Sequence, residues 1–252
     1  VASVFKGRSV SLVSVVKDVC AVVGVNPPTT MFGTVVSPRD QFELLSLANE
    51  MAQRIAYDVR EWTQMKAIAT FAGDGVKDRF PLPDNYLRML LTAQVWPSWI
   101  PTQPLSYIAD SDEWLMRRQA QVAVTYNEWT LLGKNMLIYP VLATGQTVSF
   151  MYLGKNCIDL RAPSGDQNGY NDTFSSDLDQ FMLPERLLRL GMIWQWKANK
   201  GSPYAEDMGT YTDALFMLAG SNKPSPIIVD RAPISRSAKV AIPWPSSWGP
   251  QP

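Results

Sequence analysis

The spacing of apolar residues changes period twice along these 252 residues, and that change limits the fold more than any single motif. Between Ser37 and Lys66 the apolar positions Leu44, Ala48, Met51, Ile55, Val59 and Trp62 recur every three or four residues. Arg39, Glu43, Glu50, Arg54, Asp58 and Glu61 fall mostly on other faces. That is the signature of a long amphipathic helix, with Ser37 as N-cap and Pro38 at its first position. Beyond Lys66 the period drops to two. TVSFMYLG puts Val148, Phe150 and Tyr152 on one face and Ser149 and Met151 on the other, as a half-buried strand does. From Leu183 the helical period returns through Leu187, Leu190, Ile193 or Trp194, and Lys197. A further start at Ser202-Pro203 leads to a stripe of Tyr204, Met208, Tyr211, Leu215 and Leu218.

The expected fold class is therefore α+β. Residues 1–66 and 183–221 form a helical bundle from the two ends of the chain. Residues 67–182 form an inserted antiparallel β domain, and 222–252 an extended, proline-rich C-terminal arm. Within the helical part, a first helix runs from Ser9 or Ser11 to Val23 and stops at Gly24, before the extended Asn26-Pro27-Pro28. Within the β part, AVTYNEWTLLGKNMLIYPV reads as two strands joined at Gly133-Lys134-Asn135. Turns fall at Gly73-Asp74-Gly75 and at residues 143–146, and the whole suggests a meander. A short helix over 110–119 is anchored by Trp114 and Leu115, and residues 161–180 read as a long exposed loop.

Composition removes several classes of chemistry. The chain has no histidine, which excludes serine–histidine and cysteine–histidine nucleophile pairs and the commonest metal ligand. Cys20 and Cys157 lie far apart and read as buried free thiols. There is no GxGxxG, GxxxxGK or GxSxG pattern. The cluster Asp110, Asp112 and Glu113 precedes a helix and reads as capping. No cofactor and no metal are expected. Lysine plus arginine equals aspartate plus glutamate, 23 each, which argues against a dedicated nucleic-acid binder. No apolar run is long enough to span a bilayer. In SVSLVSVVKDVCAVVGV the pair Lys17-Asp18 interrupts the run, so it reads as an amphipathic helix rather than a signal sequence.

Two groups of apolar residues have no place in these stripes. Trp96 and Trp99 of VWPSWIP form one, a candidate contact with tail proteins or with another subunit. The second lies in the arm: Ile227, Ile228, Val229, Val240, Ile242, Trp244 and Trp248, set among seven prolines. Aromatic and β-branched groups in such a setting suit contact with another protein chain. The alternative is a carbohydrate- or receptor-binding module that uses these tryptophans.

Three blocks taken together resemble the head-to-tail adaptor proteins of tailed bacteriophages, the gatekeeper or tail tubular protein A type. They are SVVKDVCAVVGVNPPTTMF with FELLSLANEMAQRIAYDVREW, then FPLPDNYLRML with NMLIYPVLATGQTVSFMYLG, and then LPERLLRLGMIWQWKANKGSPYAEDM. The resemblance covers most of residues 9–220. It implies a structural virion protein without enzymatic activity, made in the host cytoplasm and resident in the virion neck. Such a protein forms a homo-oligomeric ring, usually of twelve subunits, below the portal protein. The ring extends the channel for genomic DNA and offers a docking surface to tail nozzle or tube proteins. The arm residues would then contact the portal or a neighbouring subunit. In FPLPDNYLRML, Pro81 and Pro83 fix the backbone as a strand ends, and Asp84-Asn85 favour a turn.

Overall fold

The computed structural model describes residues 10–33, 39–120, 127–164 and 166–221. Among them the fold is α+β, with five α-helices and three sheets. Helix α1 (Leu12–Val23) buries Leu12, Val15, Val16, Val19 and Cys20. It ends where Gly24, at φ 75°, donates its N–H to the Cys20 carbonyl, 3.0 Å away. A left-handed residue of this kind closes a helix at little steric cost when it is glycine. Its other end is held from a distance: Leu12 N–H donates to Asp179 O at 2.9 Å and Val13 N–H to Asp177 O at 3.3 Å.

Helix α2 (Arg39–Tyr57) buries Leu44, Leu47, Ala48, Met51, Ala52, Ile55 and Ala56 along one stripe. The expected start at Ser37-Pro38 lies outside the described residues. The helix stops five residues short of Trp62, which corrects the expectation that Val59 and Trp62 continue the stripe. The chain instead turns back, and Trp62 buries its whole side chain against the helix it has just left. Its indole N–H donates to the Ile55 carbonyl at 2.8 Å, satisfying one of the helix's unpaired terminal acceptors. A single tryptophan thus supplies apolar area and a cap together. A 3-10 turn, Thr63–Met65, then leads into the first strand.

Helices α4 (Glu185–Asn199) and α5 (Ala205–Ser221) complete the helical layer, with α4 in contact with α1, α2 and α5. Gly191 sets the close approach of α4 to α2: a Cβ there would lie 2.5 Å from Met51 Cε. On α5, Tyr211 and Ala214 are buried, while Leu215 and Leu218 are half-buried. Tyr204 and Met208 are exposed, so the buried stripe begins about two turns later than the sequence spacing suggests, at Tyr211.

The first sheet orders β1 (Lys66–Ala72), β8 (Thr147–Gly154) and β3 (Tyr86–Met89), with β4 (Trp96–Pro97) also paired to β8. The second orders β2 (Arg79–Pro81), β7 (Asn135–Tyr139), β6 (Glu128–Leu132) and β5 (Ser106–Tyr107). Every pairing is antiparallel except β5 with β6. The hairpin β6–β7 turns at Gly133-Lys134 as its sequence indicates, but the sheets are not a meander. The β1–β8 ladder joins strands about 80 residues apart in the chain, with six strands between them in sequence. The inner faces share a core of Ala69, Phe80, Val95, Leu105, Trp129, Met136, Ile138, Leu142, Val148, Phe150 and Tyr152.

The rigid corner in FPLPDNYLRML carries the chain from one sheet to the other. Its β2 end pairs with β7 and its β3 end pairs with β8. Phe80 stacks on Phe71 with centroids 5.3 Å apart, and Tyr86 N–H closes the turn onto Pro83 O at 2.9 Å. Asn85 holds both sides: its side-chain oxygen accepts from the Tyr152 hydroxyl at 2.8 Å, and its carbonyl from Lys155 N–H at 2.8 Å.

The polar stretch 161–180 is not a long exposed loop. It contributes to a third sheet, β10 (Gln167–Asn171), β9 (Ile158–Arg161) and β11 (Gln180–Phe181). Phe174 and Phe181 enter the same core as the helices, together with Cys157, Ile158 and Leu153. Asp179 is 1% exposed and works as a hub. Its Oδ2 accepts from Ser175 N–H and Ser176 N–H, both at 2.7 Å, and from the Ser175 hydroxyl at 3.1 Å. Its Oδ1 accepts from Arg161 N–H at 3.2 Å. Polar composition hides this role, because the polarity is spent on internal hydrogen bonds.

Candidate interaction surface

The acidic cluster singled out in the sequence caps and fastens a short helix. Asp110 caps α3 (Ser111–Gln119) by accepting the Asp112 N–H at 2.9 Å. Glu113 pairs with Arg117 at 2.6 Å, and Arg117 also binds the buried Glu128 at 2.6 Å. Two carboxylates sharing one guanidinium hold α3 against β6. Trp114 is buried in a small cluster with Ile108 and Leu137; Leu115 is exposed and anchors nothing, which corrects its expected role. Among the described residues no group of histidine, cysteine, aspartate and glutamate side chains could hold a metal ion. No described helix is long and apolar enough to cross a membrane.

Both cysteines are free and buried. Burial pushes the Cys157 thiol up to about 12, and burial also raises Cys20, with the Asp40 charge adding to it. The thiolate is the reactive form, so neither side chain is a nucleophile near neutral pH.

An open groove of about 840 Å³ lies between the C-terminal ends of α1 and α4 and the start of α5. Val22, Val25, Trp196 and Pro203 are among its lining residues. Its cations are already engaged. Lys197 pairs with Asp207 at 2.6 Å, and Lys200 pairs with Glu43 at 2.5 Å and lies 4.6 Å from the Trp196 ring centre. The Lys200 and Arg39 hydrogen bonds hold the Glu43 carboxyl below the usual carboxylate range. A second ion pair fastens the link after α2 to β3. Glu61 accepts from Leu91 N–H at 2.8 Å and from Arg88 at 2.9 Å. Burial works against ionisation of Glu61, and these two bonds outweigh it, so its carboxyl is lowered.

An exposed apolar group lies on the outer face of the first sheet. In the β1–β8 register Ile68 stands opposite Met151, and in the β4–β8 register Trp96 stands opposite Ser149. Directly paired residues point to the same face. Ile68, Met151 and Trp96 are 64%, 46% and 44% exposed and lie beside the hydroxyl pair Thr70–Ser149, 2.9 Å apart. Exposed apolar groups grouped in this way mark contact surfaces.

Trp99, the other half of the tryptophan pair expected from the sequence, is half-buried and packs against the inner core. The two tryptophans therefore lie on opposite sides of the sheet, and the structure does not bring them together. The arm residues Ile227, Ile228, Val229, Val240, Ile242, Trp244 and Trp248 lie outside the described residues. Ile68 was not singled out by the sequence pattern. The visible signal was the alternation in KAIATFA, which places Ile68 among exposed positions; its pairing with Met151 depends on a long-range register.

No protein-family model matches the chain, and no curated protein matches it in sequence.

Proposed function

We propose that the protein is a head-to-tail adaptor of a tailed bacteriophage, a structural and non-enzymatic component of the virion neck. On this reading, helices from both chain ends form a bundle into which the β domain is inserted. Copies assemble into a ring, twelve in the usual case, beneath the portal protein. The ring extends the channel through which genomic DNA passes and receives tail nozzle or tube proteins. The observation that carries the reading beyond the sequence resemblance is the exposed apolar row Ile68, Met151 and Trp96 on a sheet whose other face is a packed core. Such a face suits a subunit of a larger assembly. The ion-paired helical groove and the capped acidic cluster are consistent with architecture as the chain's task.

Removal of 222–252 tests the part given to the arm. The truncated chain is expected to keep its fold and to lose attachment to the portal of its phage, read by co-sedimentation with portal rings. Undiminished attachment of a folded, truncated chain would sink the assignment of the arm.

A further inference from the structure

The outer edge of β1 is an open template for a further strand. Strand β1 lies at the end of its sheet, and among the described residues nothing pairs with its outer side. Gly73 N–H donates to Gln146 O at 2.8 Å, and that bond continues the β1–β8 register by one residue. In an antiparallel ladder the bonded positions alternate, so the odd-numbered residues of β1 bond to β8. Of Lys66, Ile68, Thr70 and Ala72, the last three turn both N–H and C=O outward, while the Lys66 N–H is held by the Thr63 carbonyl. All four are exposed.

Edges of this kind are usually blunted by proline, a bulge or inward-pointing charge. The sequence KAIATFA has no proline and no glycine, and the β1–β8 register runs without a shift. The one charge, Lys66, is at its end. Apolar neighbours flank the edge on both faces: Ile68 and Met151 outside, Ala67 and Phe71 inside.

A matching segment exists in the chain itself. Ala238–Ile242, A-K-V-A-I, alternates in the manner of a strand, is rich in β-branched residues, carries no acid and stops at Pro243. Its tether begins close by. Arg60 donates to the Leu218 carbonyl at 3.4 Å, so the end of α5 lies beside the segment that feeds β1. Residues 222–237 can span on the order of 50 Å when extended.

We propose that Ala238–Ile242 of one copy adds as a strand to the β1 edge of a neighbouring copy. Backbone hydrogen bonds supply the contact, and Val240 and Ile242 cover apolar side chains at the edge. This rests on the ring reading. A ring closed by head-to-tail contacts needs a donor surface and a different acceptor surface on each subunit. The arm segment is the donor and β1 the acceptor.

Two proline variants of the full chain test it from opposite sides. Thr70→Pro removes an outward N–H and the exposed hydroxyl contact to Ser149 but no backbone bond to β8, and Val240→Pro removes a donor from the added strand. Wild-type chain is expected to self-associate across a concentration series, with the Ile68 and Thr70 amides exchanging slowly only when associated. Each variant alone should associate at least about tenfold more weakly by sedimentation. An equimolar mixture should form a one-to-one pair, since one intact edge then meets one intact arm.

Several outcomes would overturn the inference. They are wild-type-like association of Val240→Pro, absence of a pair from two folded variants, and slow exchange at Ile68 in the monomer, which would mean that the arm covers its own edge. Should Thr70→Pro not fold, Val240→Pro alone decides, because it leaves the described core intact. Rings that persist with Val240→Pro would refute the arm-to-edge contact and leave the ring reading standing. A wild-type chain that stays monomeric both alone and with its portal would refute both.

Discussion

Replacing Trp62 by alanine is expected to lower the stability of the fold by about 4 kcal/mol, in the range for large aromatic truncations in a core. The side chain is fully buried among helical core residues, and its indole N–H is bonded to the Ile55 carbonyl. Alanine leaves a cavity at the junction of α2, the 3-10 turn and β1, and it strands a helix-terminal acceptor. The Arg60 guanidinium, 4.9 Å from the ring centre, loses its aromatic partner as well. Trp62→Phe separates these contributions. It keeps most of the apolar volume and loses the hydrogen bond, which predicts a deficit of about 1–2 kcal/mol. Urea unfolding followed by circular dichroism measures both. An alanine variant within about 1 kcal/mol of wild type would contradict the placement of this residue.

Asp179→Ala is expected to cost about 3 kcal/mol by the same measurement, for a different reason. The loss lies in the donors left behind: Ser175 N–H, Ser176 N–H, the Ser175 hydroxyl and Arg161 N–H all point at a carboxylate that is no longer there. Unsatisfied buried donors are more costly than the average hydrogen bond is stabilising. The Asp179 carbonyl also holds the first N–H of α1, so disorder of this hub would release the start of that helix. Asp179→Asn should cost roughly half as much. Its amide oxygen can still accept on one side, while its NH2 meets a donor on the other. Equal stability of the alanine and wild-type proteins would mean that the third sheet is not fastened through this residue.

These two residues also show how far the sequence can be read. Local signals translated directly. Gly24 ends α1, Gly133-Lys134 turns the β6–β7 hairpin, and the alternation in TVSFMYLG places Val148, Phe150 and Tyr152 inside. Each depends on neighbours within a few residues. Trp62 did not translate, because a three-to-four spacing cannot distinguish a residue that continues a helix from one that folds back onto it. Within 161–180 strand β10 stays largely exposed, but Asp179 failed for a related reason. Polar side chains predict exposure only when water is their partner, and here backbone amides and hydroxyls take that place.

The candidate surface was half legible. Trp96 stood out because it belonged to no stripe, but so did Trp99, and only the sheet's inner core separates them. Ile68 and Met151 each look ordinary in their own segments; the pairing that makes them one surface joins strands far apart in the chain. The expectation for Leu115 erred in phase, while Tyr204 and Met208 share the Tyr211 face and erred because that face is covered only from Tyr211 onward. One turn of helix carries several apolar residues, and only the packed neighbour decides which is buried.

The proposed role as a ring-forming adaptor is tested most directly by the mass and symmetry of what the chain forms when mixed with the portal of its phage. Native mass spectrometry with electron-microscopic class averages reads both. The account predicts a complex in which multiple copies sit as one closed ring on a single face of the portal, with the channel open along the axis. A chain that remains monomeric in the presence of portal rings, with no added density on either face, would contradict it.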